Sequence, residues 1–371
     1  MSNVVNTPKP TGEYKVGTST FVITSNREEK LGPKAGKEKR IVAARVYYPV
    51  REEQIEGMEK SVVVSEGVIE NLVKAFHVPD KGFRENKEGE FYKDVKPSSE
   101  QKFPLVVFSH GYQSYIESNN FSCIDLCSHG YVVLSVGHTY EAAGIDIGDG
   151  SIIGTDMTAF KKMMTPGYIF GALWLTFLKG DAQKREDAFR KWQTKYVSYF
   201  SDRLPEWQAD TLEAIEELKK RYADIVDFDN IGAMGHSFGG NTAYYMCHKN
   251  PEIKCCLNLD GGLFGNYDNM TMHKPVMQIT SGMNKNIMAK VELDTDAPVY
   301  IAEIGKVRHM GLCDTVFLVP MKSVVGSVPA KELHSILCEN QLKFFDKYLK
   351  GAAGELSFSD TKYVKYRQVM P

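Results

Sequence analysis

The chain alternates short apolar runs with longer amphipathic stretches, and the runs have strand length. Phe103-Pro104-Leu105-Val106-Val107-Phe108, Tyr131-Val132-Val133-Leu134-Ser135-Val136, Ile231-Gly232-Ala233-Met234 and Cys255-Cys256-Leu257-Asn258-Leu259 contain almost no charged residue. Runs of this kind read as parallel strands buried on both faces. Further strands are expected to start at Pro275 and Val299. Thr18 to Thr24 and Arg40 to Tyr48 read as opening strands, the second alternating as Ile41, Ala43, Arg45 and Tyr47. Asn119 to Cys127, Asn241 to Met246 and Leu333 to Leu349 have helical character. Strands and helices in turn predict an α/β fold, a mostly parallel central sheet flanked by helices, as one domain over residues 16–350.

Two stretches break that rhythm. Residues 51–102 are highly charged, with Val62-Val63-Val64 and Ile69 to Val78 as apolar islands, and read as a surface excursion. Residues 140–221 are expected to form a helical cap, or lid, over the sheet. Inside the cap, Tyr168 to Leu178 is an apolar run of 11 residues. As a helix it is about 16 Å long, too short for the roughly 30 Å core of a bilayer. Phe189, Trp192, Tyr196, Tyr199 and Phe200 follow among Lys184, Arg185, Arg190, Lys191 and Lys195, and Pro205 is expected to open another helix with Leu212, Ile215, Leu218 and Tyr222 on one face. Packing against the core accounts for these faces. A sharper reading is a basic, aromatic surface that makes peripheral contact with lipid aggregates. Residues 1–15 and 351–371 read as terminal tails.

The candidate chemistry starts at Gly235-His236-Ser237-Phe238-Gly239-Gly240, a serine between glycines after a strand-like run and before a helical one. That is the context a G-x-S-x-G nucleophile elbow requires, in which the serine backbone is strained and the flanking glycines let strand and helix approach. A serine hydroxyl needs a histidine to take its proton and a carboxylate to hold that histidine. Asp260 ends an apolar strand-like run and is followed by Gly261-Gly262, which makes it the best acid candidate. Of the histidines beyond it, His273 precedes an apparent strand start and His334 sits in a helical pattern, whereas His309 lies in a loop after Val299 to Ile304. A loop beyond a strand end suits a general base. Asp314 is near enough in sequence to be a reserve acid. The oxyanion of a tetrahedral intermediate needs two N–H donors, one after the nucleophile and one from an earlier strand's loop. Phe238 supplies the first by position; Tyr112, after Ser109-His110-Gly111, is chosen for the second.

Taken together, these residues resemble the platelet-activating factor acetylhydrolase family, calcium-independent phospholipases A2 of α/β-hydrolase fold. The shared stretches are Pro104 to Gly111, Ile124-Asp125-Leu126 with Ser128-His129-Gly130, Gly235 to Gly240, Leu259-Asp260, and His309 ahead of Asp314. With a last helix like Leu333 to Leu349, the resemblance spans roughly residues 16–350. It implies Ser237, Asp260 and His309 as the triad and the amides of Tyr112 and Phe238 as oxyanion donors, supported by His110, Gly111, Gly235, His236 and Gly239. The chain departs from the family at Gly137-His138-Thr139-Tyr140-Glu141, where a Glu-His-Arg-Asp cluster is expected, and at Tyr112, where a smaller aliphatic is expected.

Composition narrows the rest. Lys and Arg total 45 against 47 Asp and Glu, which gives no whole-chain reason to expect nucleic acid. The seven cysteines are odd in number, and the pair Cys255-Cys256 falls within an apparent core strand, so reduced buried thiols are expected. Cys247-His248 with Cys255-Cys256 lacks the spacing of a zinc site, and neither metal nor cofactor is expected. The polar start of the chain carries no secretory or anchoring pattern, which points to the cytoplasm. The expected activity is hydrolysis of short-acyl esters, of lipids or phospholipids, through an acyl-enzyme. The same triad acting on another ester or thioester, xenobiotic or polyester, and a non-catalytic hydrolase-fold binding protein are the alternatives.

Overall fold

In the computed structural model, residues 7–97 and 101–370 are described. The elements run β1 (Lys15–Glu28), β2 (Lys39–Val50), β3 (Lys60–Val62), α1 (Glu66–Phe76), α2 (Lys81–Glu85), β4 (Glu88–Lys93), β5 (Phe103–Ser109), α3 (Asn120–Ser128), β6 (Val132–His138), β7 (Gly144–Asp146) and β8 (Ile152–Gly154). Four helices, α4 (Met157–Met163), α5 (Pro166–Phe177), α6 (Ala182–Tyr196) and α7 (Ser198–Tyr222), come next, where a cap was expected. The chain closes with β9 (Val226–His236), α8 (Phe238–Lys249), β10 (Ile253–Leu259), β11 (Val276–Thr280), β12 (Val299–Ile304), α9 (Thr315–Leu318), α10 (Lys322–Val325), α11 (Ala330–Leu349) and β13 (Val364–Val369).

One sheet carries the order β13-β12-β11-β10-β9-β5-β6-β2-β1-β4-β3. Its middle, from β12 to β6, is parallel throughout, and antiparallel strands flank it on both sides. Alternate residues of the parallel strands feed opposite cores. Val106, Phe108, Met234, Cys255 and Leu257 face α3 and α11, where Phe121, Ile124, Phe344 and Phe345 pack. Leu105, Val107, Ala233 and Cys256 face α7 and α8, where Trp207, Ile215, Phe238 and Met246 pack. Each fully buried aromatic in these layers contributes about 1.5–3 kcal/mol. This is the α/β-hydrolase arrangement, a sheet covered on both faces, and all seven cysteines are free and buried within it.

Three expectations about the chain ends and the 51–102 stretch change. Residues 51–102 are more than a surface excursion: they add β3 and β4 to the sheet, and Val63, Val64, Val68, Ile69, Phe83 and Phe91 join the core. Residues 351–371 are not wholly a tail, since β13 pairs with β12 along its length. The N-terminal residues 1–6 lie outside the described residues, but from Thr11 the chain is strapped to α3: Thr11 N–H donates to Asp125 at 2.8 Å and Tyr14 N–H to the Ser128 carbonyl at 3.0 Å.

Helices α4, α5 and α6 start on side-chain caps, Asp156, Thr165 and Asp181 each accepting a first-turn N–H, whereas α7 follows Val197 without one. Pro205 does not open a helix; it sits inside α7, which begins at Ser198. A proline there removes one backbone bond. Tertiary anchors stand on either side of it: Arg203 forks onto Glu141 at 2.9 and 2.8 Å, and Trp207 Nε1–H reaches the same carboxylate at 2.9 Å.

Candidate active site

The C-terminal ends of β5, β9 and β10 lie level, with Ser109 opposite Gly235 and His236 opposite Leu259. The chain winds outward from β5 to β6 in one direction and from β9 to β12 in the other. The crevice between β5 and β9 is therefore a topological switch point, where open α/β sheets bind ligands. Ser237 stands at that point.

Ser237 has φ 56° and ψ −124°, a strained backbone for a residue with a Cβ. The turn closes only because its neighbours are glycines. A Cβ on Gly235 would fall 2.2 Å from the Gly239 backbone, and one on Gly239 would fall 1.9 Å from the Ser109 carbonyl oxygen. Gly111 approaches from the other side, its Cβ position 3.0 Å from Ser237 Cβ.

Asp260, also in the left-handed region at φ 54°, is almost fully buried. Its Oδ1 accepts from Ser281 N–H at 2.8 Å and Thr280 Oγ1 at 3.0 Å, and its Oδ2 from Ser281 Oγ at 2.8 Å and Asn284 Nδ2 at 2.9 Å. Oδ2 also meets His309 Nδ1 at 2.8 Å. Burial pushes this carboxyl up, but the His309 bond and charge and the Ser281 donors outweigh it and hold it below the usual carboxylate range. With Nδ1–H committed to Asp260, the free nitrogen of His309 is Nε2. His309 begins a short 3-10 turn after β12 and is held beside the elbow by His236, whose ring stacks on it at 4.7 Å and whose Nε2 lies 3.1 Å from its carbonyl. Burial, then the neighbouring His309, push His236 down to about 3, so it is neutral and donates that bond. Among the described residues no hydrogen bond joins Ser237 Oγ to His309; resting hydrolases often leave this contact long until substrate binds.

Neither Tyr112 N–H nor Phe238 N–H donates to any described residue. The Tyr112 amide is aimed by its own peptide plane: the Gly111 carbonyl accepts from His110 Nδ1 at 2.7 Å and from Ser114 N–H at 2.9 Å. Because the peptide is planar and trans, fixing that carbonyl points the Tyr112 N–H the opposite way. His110 is in turn set by His138, whose backbone N–H reaches His110 Nε2 at 3.2 Å. The His138 ring stacks on Trp207 at 3.7 Å and donates from Nδ1 to Asp210 at 2.9 Å. Asp210 also receives Arg40 at 2.6 Å and Arg27 at 2.6 Å. Burial pushes the Asp210 carboxyl up, yet Arg40 dominates and holds it far below the usual range; burial pushes both His110, to about 3, and His138 down.

This buried layer of Arg40, His138, Glu141, Arg203 and Asp210 is what sequence reasoning missed. Arg40 reads as a strand start and Asp210 falls in the helix expected after Pro205; only the departure at Gly137 to Glu141 marked the place. Asp314 does not reach His309. Its Oδ2 accepts from Phe121 N–H at 3.1 Å in the first turn of α3, and burial pushes it well above the usual carboxylate range.

The sequence model of the family described as platelet-activating factor acetylhydrolase, isoform II, matches residues 1–148 and 212–350, leaving α4 to α6 and the first part of α7 between the matched segments. The guinea pig (Cavia porcellus) platelet-activating factor acetylhydrolase is 22% identical over 377 residues, covering 92% of this chain and 78% of that one. The Bos taurus enzyme of the same name is 29% identical over 176 residues, covering 44% and 36%. Among solved structures, a ferulic acid esterase from Streptomyces cinnamoneus superposes with a TM-score of 0.71 at 20% identity, covering 98% of each chain. At that identity it speaks for the fold alone. With the family match extending over most of its length, the chain belongs to the platelet-activating factor acetylhydrolase, isoform II, family and is a carboxylic ester hydrolase of α/β-hydrolase fold.

Proposed function

We propose that the chain hydrolyses short-acyl esters of lipids by acyl transfer through Ser237. His309 Nε2 takes the Ser237 proton as Oγ attacks the ester carbonyl. Asp260 holds the imidazole in the required tautomer and balances its charge. The amides of Tyr112 and Phe238 receive the oxyanion, and the alcohol departs with the proton from His309. Water then repeats the sequence on the acyl-enzyme. The observation that carries this reading is the 2.8 Å Asp260–His309 bond beside a serine forced to positive φ.

The short acyl preference is supported by crowding beside the proposed oxyanion donors. The Tyr112 ring meets Phe200 at 5.2 Å and Tyr199 at 6.0 Å, and Phe200 meets Phe238 at 5.0 Å. The lipid character is supported by α5, which exposes Phe170 at 70%, Phe177 at 73%, Leu173 at 55% and Trp174 at 54% beside Lys179 and Lys184. Trp192, expected on the same surface, is buried beneath α5. No helix among the described residues is long and apolar enough to cross a membrane, so contact with lipid is peripheral in this reading.

A fluorophosphonate should label Ser237, and Ser237→Ala should lose both labelling and hydrolysis of p-nitrophenyl acetate, by about 10⁶-fold in kcat on the scale of nucleophile removal. Retained labelling in Ser237→Ala removes the assignment. A panel of acetyl, butyryl and longer esters, with a phospholipid, should show rates falling with acyl length; a preference for long chains overturns the substrate class.

A further inference from the structure

On the face of the sheet covered by α3 and α11, a second set of reactive side chains converges. Asp125 comes from the last turn of α3; His334 and Cys338 lie one turn apart on α11. One carboxylate oxygen, one imidazole nitrogen and the thiol sulfur lie within 4.8 Å of one another. His334 Nε2 is 3.4 Å from Cys338 Sγ. A tetrahedral zinc ion, with Zn–N of about 2.0 Å and Zn–S of about 2.3 Å, holds such a pair about 3.5 Å apart. All three residues are at least nine-tenths buried, at 1%, 9% and 7% exposure, yet they border a cavity of about 700 Å³ that gives an ion a way in. The hydrogen bonds that Thr11 gives Asp125, at 2.8 and 2.9 Å, both fall on Oδ1, and the Cys338 thiol also hydrogen-bonds the Asp125 carboxylate, a contact that a bound ion would replace.

We propose that Asp125, His334 and Cys338 form a binding site for a zinc ion, with the fourth position facing the cavity and filled by solvent. The donor set selects the metal: thiolate and imidazole favour zinc over the oxygen-seeking magnesium and calcium. Binding expels the thiol proton to solvent, and the neutral imidazole contributes a lone pair. A dipositive ion with one thiolate and one carboxylate is then a neutral unit, which suits a buried position. The site is separate from the proposed esterase centre. Gly130, just past α3, lies against Phe103 at the start of β5, so this end of α3 is at the opposite end of that strand from Ser109. Its role is a clasp that ties α3 and the strapped N-terminal segment to α11.

The test uses the full chain, stripped with a chelator and titrated with Co²⁺, then Zn²⁺. One equivalent of Co²⁺ should give a thiolate-to-metal charge-transfer band with tetrahedral d–d absorption, Zn²⁺ should displace it, and the melting temperature should rise. Cys338→Ala and His334→Gln should each weaken binding by more than about 100-fold, beyond what loss of an outer-shell partner costs. Cys247→Ala, on the other face of the sheet, should bind as wild type. Hydrolysis of p-nitrophenyl acetate reports folding of each variant and should be unchanged. A stoichiometric titration without the charge-transfer band, or wild-type affinity in an active Cys338→Ala protein, overturns the site.

Discussion

Replacing Asp260 with asparagine isolates the acid of the proposed triad. In the structure five donors converge on this acceptor-only group, from Thr280, Ser281 twice, Asn284 and His309. An amide has one oxygen, and the two bonds of Oδ1 from Ser281 N–H and Thr280 keep that oxygen in place. The new NH₂ then stands where Oδ2 was and faces His309 Nδ1. To avoid opposing donors the imidazole must move its proton to Nε2, which can no longer accept from Ser237. In the serine-protease template this wrong-tautomer substitution costs about 10⁴ in kcat. That is about 5 kcal/mol of barrier. The assay is p-nitrophenyl acetate hydrolysis with burst kinetics, alongside a thermal melt to establish that the variant is folded. Asp314 offers no rescue, because its carboxyl is occupied at the start of α3, where burial pushes it well above the usual carboxylate range. Adding Asp314→Asn should therefore leave the residual rate within about twofold, as for uncoupled sites. Activity of Asp260→Asn within about tenfold of wild type, a difference of only ~1.4 kcal/mol, would refute the reasoning.

Other outcomes follow from the same geometry. His110→Phe removes the bond that fixes the Gly111–Tyr112 peptide, and should lower kcat up to the 10²–10³-fold scale of a lost oxyanion donor, about 3–4 kcal/mol, with KM little changed; an unchanged kcat removes His110 from that role. His110, His138 and His236 are buried and neutral, their folded pKa values depressed below the unfolded value of about 6.5. A depressed histidine contributes stability that is complete above about pH 6.5 and is lost as pH falls toward the folded value, each with a slope of about 1.4 kcal/mol per pH unit. Urea denaturation at pH 7, 6, 5 and 4 should show the decline, and a flat profile would contradict it. Phe170→Asp with Trp174→Asp and Phe177→Asp should abolish sedimentation with anionic vesicles, whereas Trp192→Phe, beneath the surface, should not; equal pelleting of wild type and the triple variant rules out a lipid-facing α5.

The parts of the fold that the sequence disclosed are those where one physical demand dominates. Strands β5 and β6, and the C-terminal parts of β9 and β10 from Ile231 and Cys255, are buried on both faces, so they read as apolar runs whose ends mark Ser109, Ser237 and Asp260. His309 stood out by elimination, since His273 and His334 sat in patterns with another explanation. Where two demands compete, the pattern misled. Phe189 and Trp192 share helical spacing with Lys191 and Lys195, and only packing shows that the aromatics turn inward while α5 keeps its apolar face outward. Pro205 looked like a helix start because the ion pairs that hold α7 together join residues far apart in the chain. Arg40 and Asp210 are ordinary surface residues by type, and nothing local announces that they neutralise each other in the core. For β13, the alternation Val364-Lys365-Tyr366-Arg367 was a usable strand signal, hidden by the polar residues around it.

That last strand bears on how the molecule behaves at high concentration. An open eleven-stranded sheet ends in two rows of backbone donors and acceptors, each a template for recruiting another copy. Here one border is β3, only 3 residues long. The other is β13, where Lys365 and Arg367 stand exposed, the latter paired with Glu292 at 2.6 Å. A brief border and a charged one, its Lys365 paired with Asp360 at 2.9 Å, both discourage edge-to-edge pairing with another copy.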